Sequence, residues 1–169
     1  DTLIKAINLS KHKDNIQLIL AGKGPKEKYY KKLSDKLKVN THFGLFGRNE
    51  IIDVLNYSDL YVHPAEIELE GIACLEAVAC GKLTIVSDSK LSATKEFAVD
   101  DKCTFKCRDY KDLARVIDYW IDNPEERKEY EHKYLNSSKT FNQEECMKRM
   151  EEMMLEVIEK KKNKNTSNI

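Results

Sequence analysis

Apolar residues recur along this chain with two alternating periods, one helical and one strand-like. Residues 2–11 carry Leu3, Ile4 and Ile7 on one helical face. Residues 15–20 form a short apolar run that stops at Ala21-Gly22-Lys23-Gly24-Pro25, the signature of a buried strand closed by a turn. Tyr29, Tyr30, Leu33 and Leu37 then repeat at helical spacing over residues 26–38, and residues 41–46 read as a second strand. The alternation continues with a helix over 49–56 (Ile51, Ile52, Val54, Leu55), a strand over 60–62, a helix over 72–80 and a strand over 83–86. Residues 104–105 are a candidate fifth strand, followed by helices over 110–121 and 124–136. The second of these opens on Asn123-Pro124-Glu125-Glu126, which combines an N-cap, proline in the first turn and acids against the helix dipole.

Strands that alternate with helices across short loops predict an α/β fold: a Rossmann-like parallel sheet with helices on both faces. Such sheets bind ligands beyond the carboxyl ends of their strands. That rule directs attention to the loops at residues 22–25, 44–48, 63–71 and 87–96. The chain divides into a Rossmann-like domain over 1–142 and a C-terminal helix and polar tail over 143–169. The helix, over 143–162, gathers Met147, Met150, Met153, Met154, Val157 and Ile158 on one broad face, which reads as a packing face. Lys160, Lys161, Lys162 and Lys164 leave two readings open: a frayed, solvated end, or contact with anionic lipid at about 1 kcal/mol per charge.

Composition narrows the function classes. The 169 residues suit one domain able to bury its own core. The 29 basic and 29 acidic side chains cancel, so no net charge draws the chain to nucleic acid. The longest apolar run, residues 16–21 broken by Gln17, is strand-sized and far below a membrane span. Neither a signal-peptide pattern at the N-terminus nor a CxxC pair is present. Cys103, Phe105 and Cys107 alternate, which places them on one strand face. They read either as small apolar core residues or as a disulfide or metal pair, and a reduced cytosolic protein is the simplest setting.

The chemistry concentrates in His63-Pro-Ala-Glu-Ile-Glu-Leu-Glu-Gly-Ile-Ala-Cys-Leu-Glu-Ala-Val-Ala-Cys-Gly81. This segment leaves a strand, crosses an acidic loop and enters a helix at Gly71. Unpaired N–H groups at Gly71, Ile72 and Ala73 make an anion site, and the missing side chain at Gly71 lets a phosphate come close. Glu66, Glu68, Glu70 and Glu76 would repel a bare phosphate, so if one binds they must face neutral hydroxyls. Glu76, between Leu75 and Ala77, is expected to be paired or bonded to something polar. A phosphate site beside carboxylates for hydroxyls describes a sugar nucleotide. The other reading is a solvated acidic loop in which Glu76 caps a neighbour.

These residues resemble the Glu-x7-Glu signature of the family-4 retaining glycosyltransferases of GT-B architecture, here Glu68 and Glu76 with Gly71 between them. The likeness continues through Glu76-Ala-Val-Ala-Cys-Gly81 and Thr84-Ile-Val86, and it includes Gly22-Lys-Gly-Pro25 and Phe43-Gly44, which sit where that family has its glycine turns. It spans about residues 1–135, and because the family's final helix crosses to the other domain, it implies that part of the methionine face is exposed in this chain. Ser87-Asp-Ser-Lys-Leu-Ser-Ala-Thr-Lys-Glu-Phe97, with His63 upstream, is similar to the branch that glucosylates diacylglycerol and sterols.

The resemblance implies a hexosyltransferase with Glu76 on the ribose hydroxyls and Glu68 on the sugar, the two residues to which it assigns catalytic importance. It further implies donor contacts from Gly22, Gly24, Leu45, Phe46, Leu69, Glu70, Gly71, Ile72 and Ala73. The substrate it implies is UDP-glucose, without a separate cofactor. No Asp-x-Asp pair occurs, so a metal-chelated diphosphate is not indicated. Glu70 stands where the family carries an aromatic residue, which alters the sugar contacts. His63 either touches ligand or packs within its loop. The family's upstream Gly-Arg strand end and Lys are not in this sequence, and neither is an N-terminal acceptor domain. The expectation is therefore the C-terminal, donor-binding half of a larger enzyme with its first strand truncated, inactive alone. Its lipid acceptor would be held mainly by the N-terminal half, on the inner face of the cell membrane. Two alternatives stay open: a surface-polysaccharide transferase, and a non-catalytic nucleotide-binding scaffold of the same fold.

Overall fold

The structure, a computed structural model, describes residues 1–166, with side chains through residue 161. Among the described residues five short strands and seven α-helices follow in the order α1 (Thr2–Leu9), β1 (Leu18–Ala21), α2 (Glu27–Leu37), β2 (Thr41–Gly44), α3 (Arg48–Tyr57), β3 (Tyr61–His63), α4 (Ile72–Ala79), β4 (Thr84–Ser87), β5 (Thr104–Phe105), α5 (Tyr110–Asp122), α6 (Pro124–Ser138) and α7 (Gln143–Thr166). The α/β class and the parallel strands agree with the hydrophobic pattern. The first strand starts three residues later than its apolar run predicts, because Lys13–Asn15 forms a 3-10 turn that uses up the linker.

The strands form two parallel sheets rather than one. β1 pairs with β2, and β3, β4 and β5 pair in that order. β1 and β3 do not share a ladder, since a channel of about 630 Å³ runs between them. β4 lies at the centre of the larger sheet and is buried along its whole length.

The core lies between the sheets and helices α1, α5 and α6. α5 presents Leu113, Val116, Ile117 and Trp120 inward at helical spacing and starts at Asp109, whose carboxylate accepts from the amides of Lys111 (2.9 Å) and Asp112 (3.1 Å). Trp120 is fully buried, packs tilted against Tyr130 at 4.7 Å between ring centroids and donates its indole N–H to the Lys102 carbonyl (3.1 Å). Tyr134 on α6 is fully buried and donates to the Thr84 carbonyl (2.8 Å), tying α6 to the start of β4.

Cys103 and Phe105 sit in this core, as small and aromatic apolar residues on one face should, whereas Cys107 is only half-buried beyond the strand end. All five cysteines are free thiols, and burial pushes those of Cys74 and Cys103 well above the usual range. The C-terminal helix corrects an expectation. Its methionine face is exposed, with Met147, Met150, Met153, Met154, Val157 and Ile158 all open to solvent. Periodicity marks an apolar face but cannot say whether a partner element reaches it. Lys160 and Lys161 are exposed on this helix; the side chains of Lys162 and Lys164 and residues 167–169 lie outside the described residues. No helix among the described residues is long and apolar enough to cross a membrane.

Candidate functional site

Each loop singled out from the sequence follows the carboxyl end of a parallel strand. Gly22 and Gly24 form an exposed turn after β1, and the Gly22 amide reaches across to the Gly44 carbonyl at the end of β2 (2.8 Å). Phe46 folds back over Gly44 so closely that a Cβ there would stand 2.6 Å from the ring. Leu45 is left pointing outward, 74% exposed. The Gly47 amide donates to the Glu50 carboxylate (2.6 Å), which caps α3.

The acidic loop after β3 is held from below by the loop after β4. The Glu68 amide donates to the Leu91 carbonyl and the Ala93 amide to the Glu68 carbonyl (3.0 Å), a one-residue parallel bridge between Glu68 and Ser92. The Ser89 hydroxyl donates to the Glu66 carbonyl (2.6 Å), and the Arg108 guanidinium pairs with the Glu66 carboxylate across the loop mouth. Arg108 itself takes a left-handed backbone, φ 64°, at the turn after β5.

The loop then enters α4 through Gly71, whose φ of +72° suits glycine. A Cβ at this position would run into Thr94 Cγ2 and stand 3.3 Å from Phe97 Cε2. The buried Thr94 is fixed in turn by a hydroxyl–hydroxyl bond to Ser92 (2.8 Å). Sequence reasoning had Ser92 and Thr94 only as part of a resemblance. Their contact role has no local signature, since it depends on two loops meeting in space.

Glu68 does not project freely. Its carboxylate accepts from the Leu69 amide (3.0 Å) and the Glu70 amide (3.4 Å) of its own loop. Hydrogen bonds from the Gly71 amide first, then from Glu70, hold its carboxyl below the usual range. Of the helix-start N–H groups expected to meet a diphosphate, that of Gly71 therefore already faces a carboxylate, which a second anion would share or displace.

Of the two readings of Glu76, paired within the chain or bonded to something polar, the first finds no partner among the described residues. Glu76 is exposed on α4, along with Ile72 and Ala73, and its carboxylate makes no hydrogen bond or ion pair among the described residues. Positions 72, 73 and 76 fall on one helical face while Cys74, Ala77 and Val78 face the core. Neither a buried pair nor a cap for a neighbour describes it; its carboxylate is free on the same face as the helix start. Leu69 (87% exposed) and Glu70 complete the open rim.

His63 ends β3 beneath this loop, largely buried. Tyr61 Oη lies 3.0 Å from Nδ1, a hydrogen bond whose direction follows the imidazole tautomer, and burial pushes that phenol's pKa up. The other ring nitrogen, Nε2, lies 3.5 Å from the Glu68 carboxylate, a charge contact too long to satisfy it as a hydrogen bond. Burial lowers the His63 pKa, with Glu68 opposing in part. A histidine held neutral costs stability as the unfolded chain takes up its proton, so its contribution is present above about 6.5 and lost as pH falls below it. Urea unfolding at pH 7.5 and 5.5 should show a steeper acid loss for the native chain than for His63→Gln. Equal losses would mean that His63 titrates as it does in the unfolded chain. The window stays above the carboxylate range, so Glu68 does not contribute to the difference.

His63 also lines a cavity of about 580 Å³ together with Asp1, Thr2 and Lys5 from the start of α1 and with Arg108. Glu66 lines it too, whereas Glu68, Leu69, Glu70 and Gly71 do not. Among the described residues no group of three His, Cys, Asp or Glu side chains converges as a metal would require.

Residues 1–134 match the family model described as glycosyl transferases group 1. The chain is 34% identical over 97 residues to the uncharacterized glycosyltransferase YqgM of Bacillus subtilis (strain 168), covering 56% of this chain and 26% of that one. It thus spans about a quarter of the length of the first curated relatives it matches. Among solved structures it is similar to the catalytic domain of cholesterol-alpha-glucosyltransferase from Helicobacter pylori, with 43% identity, a TM-score of 0.81, and coverage of 83% of this chain and 89% of that one. The fold also matches Anabaena HepE in complex with UDP and glucose, at 18% identity and a TM-score of 0.71, over 81% of this chain and 39% of that one.

Proposed function

The chain belongs to the glycosyl transferases group 1 family, and from that premise we propose that it is the donor-binding part of a retaining hexosyltransferase that uses UDP-glucose. The observation that carries this reading is the α4 entrance. A left-handed Gly71 opens the helix, and Ile72, Ala73 and the unpaired Glu76 share the exposed face that follows. The helix start suits the diphosphate, and a free carboxylate one turn on suits the ribose hydroxyls. Leu69 and Glu70 form the rim over the sugar, Glu68 orders the loop and faces the sugar, and Leu45 with Phe46 and the Gly22–Gly24 turn flank the base.

Little covalent chemistry falls to the protein in this scheme. The departing phosphate serves as base, and the N–H groups of the α4 start stabilise the leaving diphosphate as its charge develops. Glucose as the sugar and a membrane lipid as the acceptor are supported by the likeness to the cholesterol-alpha-glucosyltransferase catalytic domain. On this reading the acceptor is held mainly by a partner domain, and the enzyme works peripherally on the cytoplasmic face of the membrane. The exposed Lys160 and Lys161 add a contribution on an anionic surface.

Glu76→Ala is the direct test. Losing a charge-assisted hydrogen bond worth about 1.5–3 kcal/mol should weaken UDP binding by about 10- to 100-fold, read from NMR shift titration. Because Glu76 is exposed, the unfolding midpoint should not move. Unchanged affinity for UDP in this variant would remove Glu76 from the ribose and with it the reading of the site.

A further inference from the structure

The Glu68 carboxylate lies between two partners and is committed to one of them. Its Oε1 accepts from the amides of Leu69 (3.0 Å) and Glu70 (3.4 Å), just ahead of α4. Its Oε2 lies 3.5 Å from His63 Nε2, against about 2.7–2.9 Å for a charge-assisted bond. His63 Nε2 is buried and has no hydrogen-bond partner, a costly state for a ring nitrogen. The Glu68 main chain is pinned, its amide bonded to the Leu91 carbonyl (3.2 Å) and its carbonyl to the Ala93 amide (3.0 Å). Closing the gap to His63 therefore falls to rotation of the Glu68 side chain, which would release the amides.

We propose that Glu68 is a two-position carboxylate with His63 as its second partner. Without donor it occupies the amides at the α4 entrance. When a diphosphate takes those amides, Glu68 turns onto His63 Nε2, and the ring takes up a proton from solvent to hold it. The inference rests on the donor reading of the site. In the imidazolium both ring nitrogens donate, Nε2 to Glu68 and Nδ1 to the Tyr61 hydroxyl already 3.0 Å away. Glu68 Oε1, released from the amides, is left for a sugar hydroxyl. His63 is then a positioning residue that acts through Glu68 and keeps its charge off the diphosphate. The other ionisable side chains around the cavity that His63 lines are Asp1 and Lys5 of α1, Tyr30 of α2, Glu66, Cys107, Arg108 and Tyr110. Lys5 pairs with Asp1 (2.8 Å) and Arg108 with Glu66, so these four charges are matched among themselves. Cys74 of α4, near Tyr61 and Glu68, is a neutral thiol. Among the described residues Glu68 is the carboxylate that reaches the ring. Bringing it closer raises the ring's proton affinity, and by reciprocity protonation favours the donor by the same factor.

The test follows the His63 ring by NMR from about pH 5 to about pH 8, with and without saturating UDP-glucose, whose diphosphate does not itself ionise in that range. The ring's pKa should rise by about one unit on binding, and affinity for UDP-glucose should grow about three- to tenfold from the upper to the lower end of the range. In Glu68→Gln the pKa rise should fall to about half or less, because an amide offers the imidazolium no charge. In His63→Gln the affinity should stay flat with pH. An unmoved His63 pKa while the Gly71 and Ile72 amides shift on binding would overturn the proposal and leave the donor reading standing, whereas unmoved amides would overturn both. A pKa rise that persists in full in Glu68→Gln would also overturn the proposal, because the charge of the diphosphate itself would then account for the proton.

Discussion

Gly71→Ala should abolish measurable UDP binding and lower the unfolding midpoint by on the order of 5–15 °C. Two costs add. A residue with a Cβ pays about 1–2 kcal/mol in the left-handed region, and φ here is +72°. Forcing the new methyl into Thr94 Cγ2, with Phe97 close behind, costs about 1–3 kcal/mol more or displaces the α4 entrance. Either outcome moves the N–H groups that the donor reading assigns to the diphosphate. The double variant Gly71→Ala/Thr94→Ser separates the two costs. Serine keeps the hydroxyl bond to Ser92 and removes the clashing methyl, so stability and affinity should recover in part. No recovery would mean that the backbone conformation alone sets the entrance.

Trp120→Ala should cost about 3–5 kcal/mol and leave the chain close to unfolding at 37 °C. The side chain is fully buried at the crossing of α5 and α6, packs tilted against Tyr130, and meets Tyr119 edge-on at 5.0 Å. Its indole bond to Lys102 would also be lost, leaving that carbonyl without this partner. Thermal unfolding followed by circular dichroism checks the prediction. A shift of only a few degrees would show that neighbouring side chains collapse into the space. Trp120→Phe keeps most of the volume and should lose markedly less.

Much of the fold was legible along the chain. The amphipathic stripe of α5, the Asn123-Pro124 start of α6 and the alternation of strands with helices all follow from local pattern, and each appears within a few residues of its expected place. The loop at 63–71 was legible as the candidate site because acids, glycine and a helix start are adjacent in sequence. Ring-on-backbone packing at Gly44 and the Tyr61–His63–Glu68 series were not legible, since strand alternation gives a side chain's face but not its partner.

Three features were decided only by tertiary structure. Glu76, among apolar neighbours in sequence, was expected to be paired or bonded to something polar; α4 turns that face outward and leaves the carboxylate free. The methionine face of α7 was expected to pack, yet no element among the described residues covers it. One sheet was expected, and two formed with a channel between them. Local sequence determined which residues form each element and which face of it is apolar, because periodicity and capping are properties of neighbours along the chain. Which face meets a partner, and which edge stays open, depends on segments distant in sequence, and only the folded arrangement decides that.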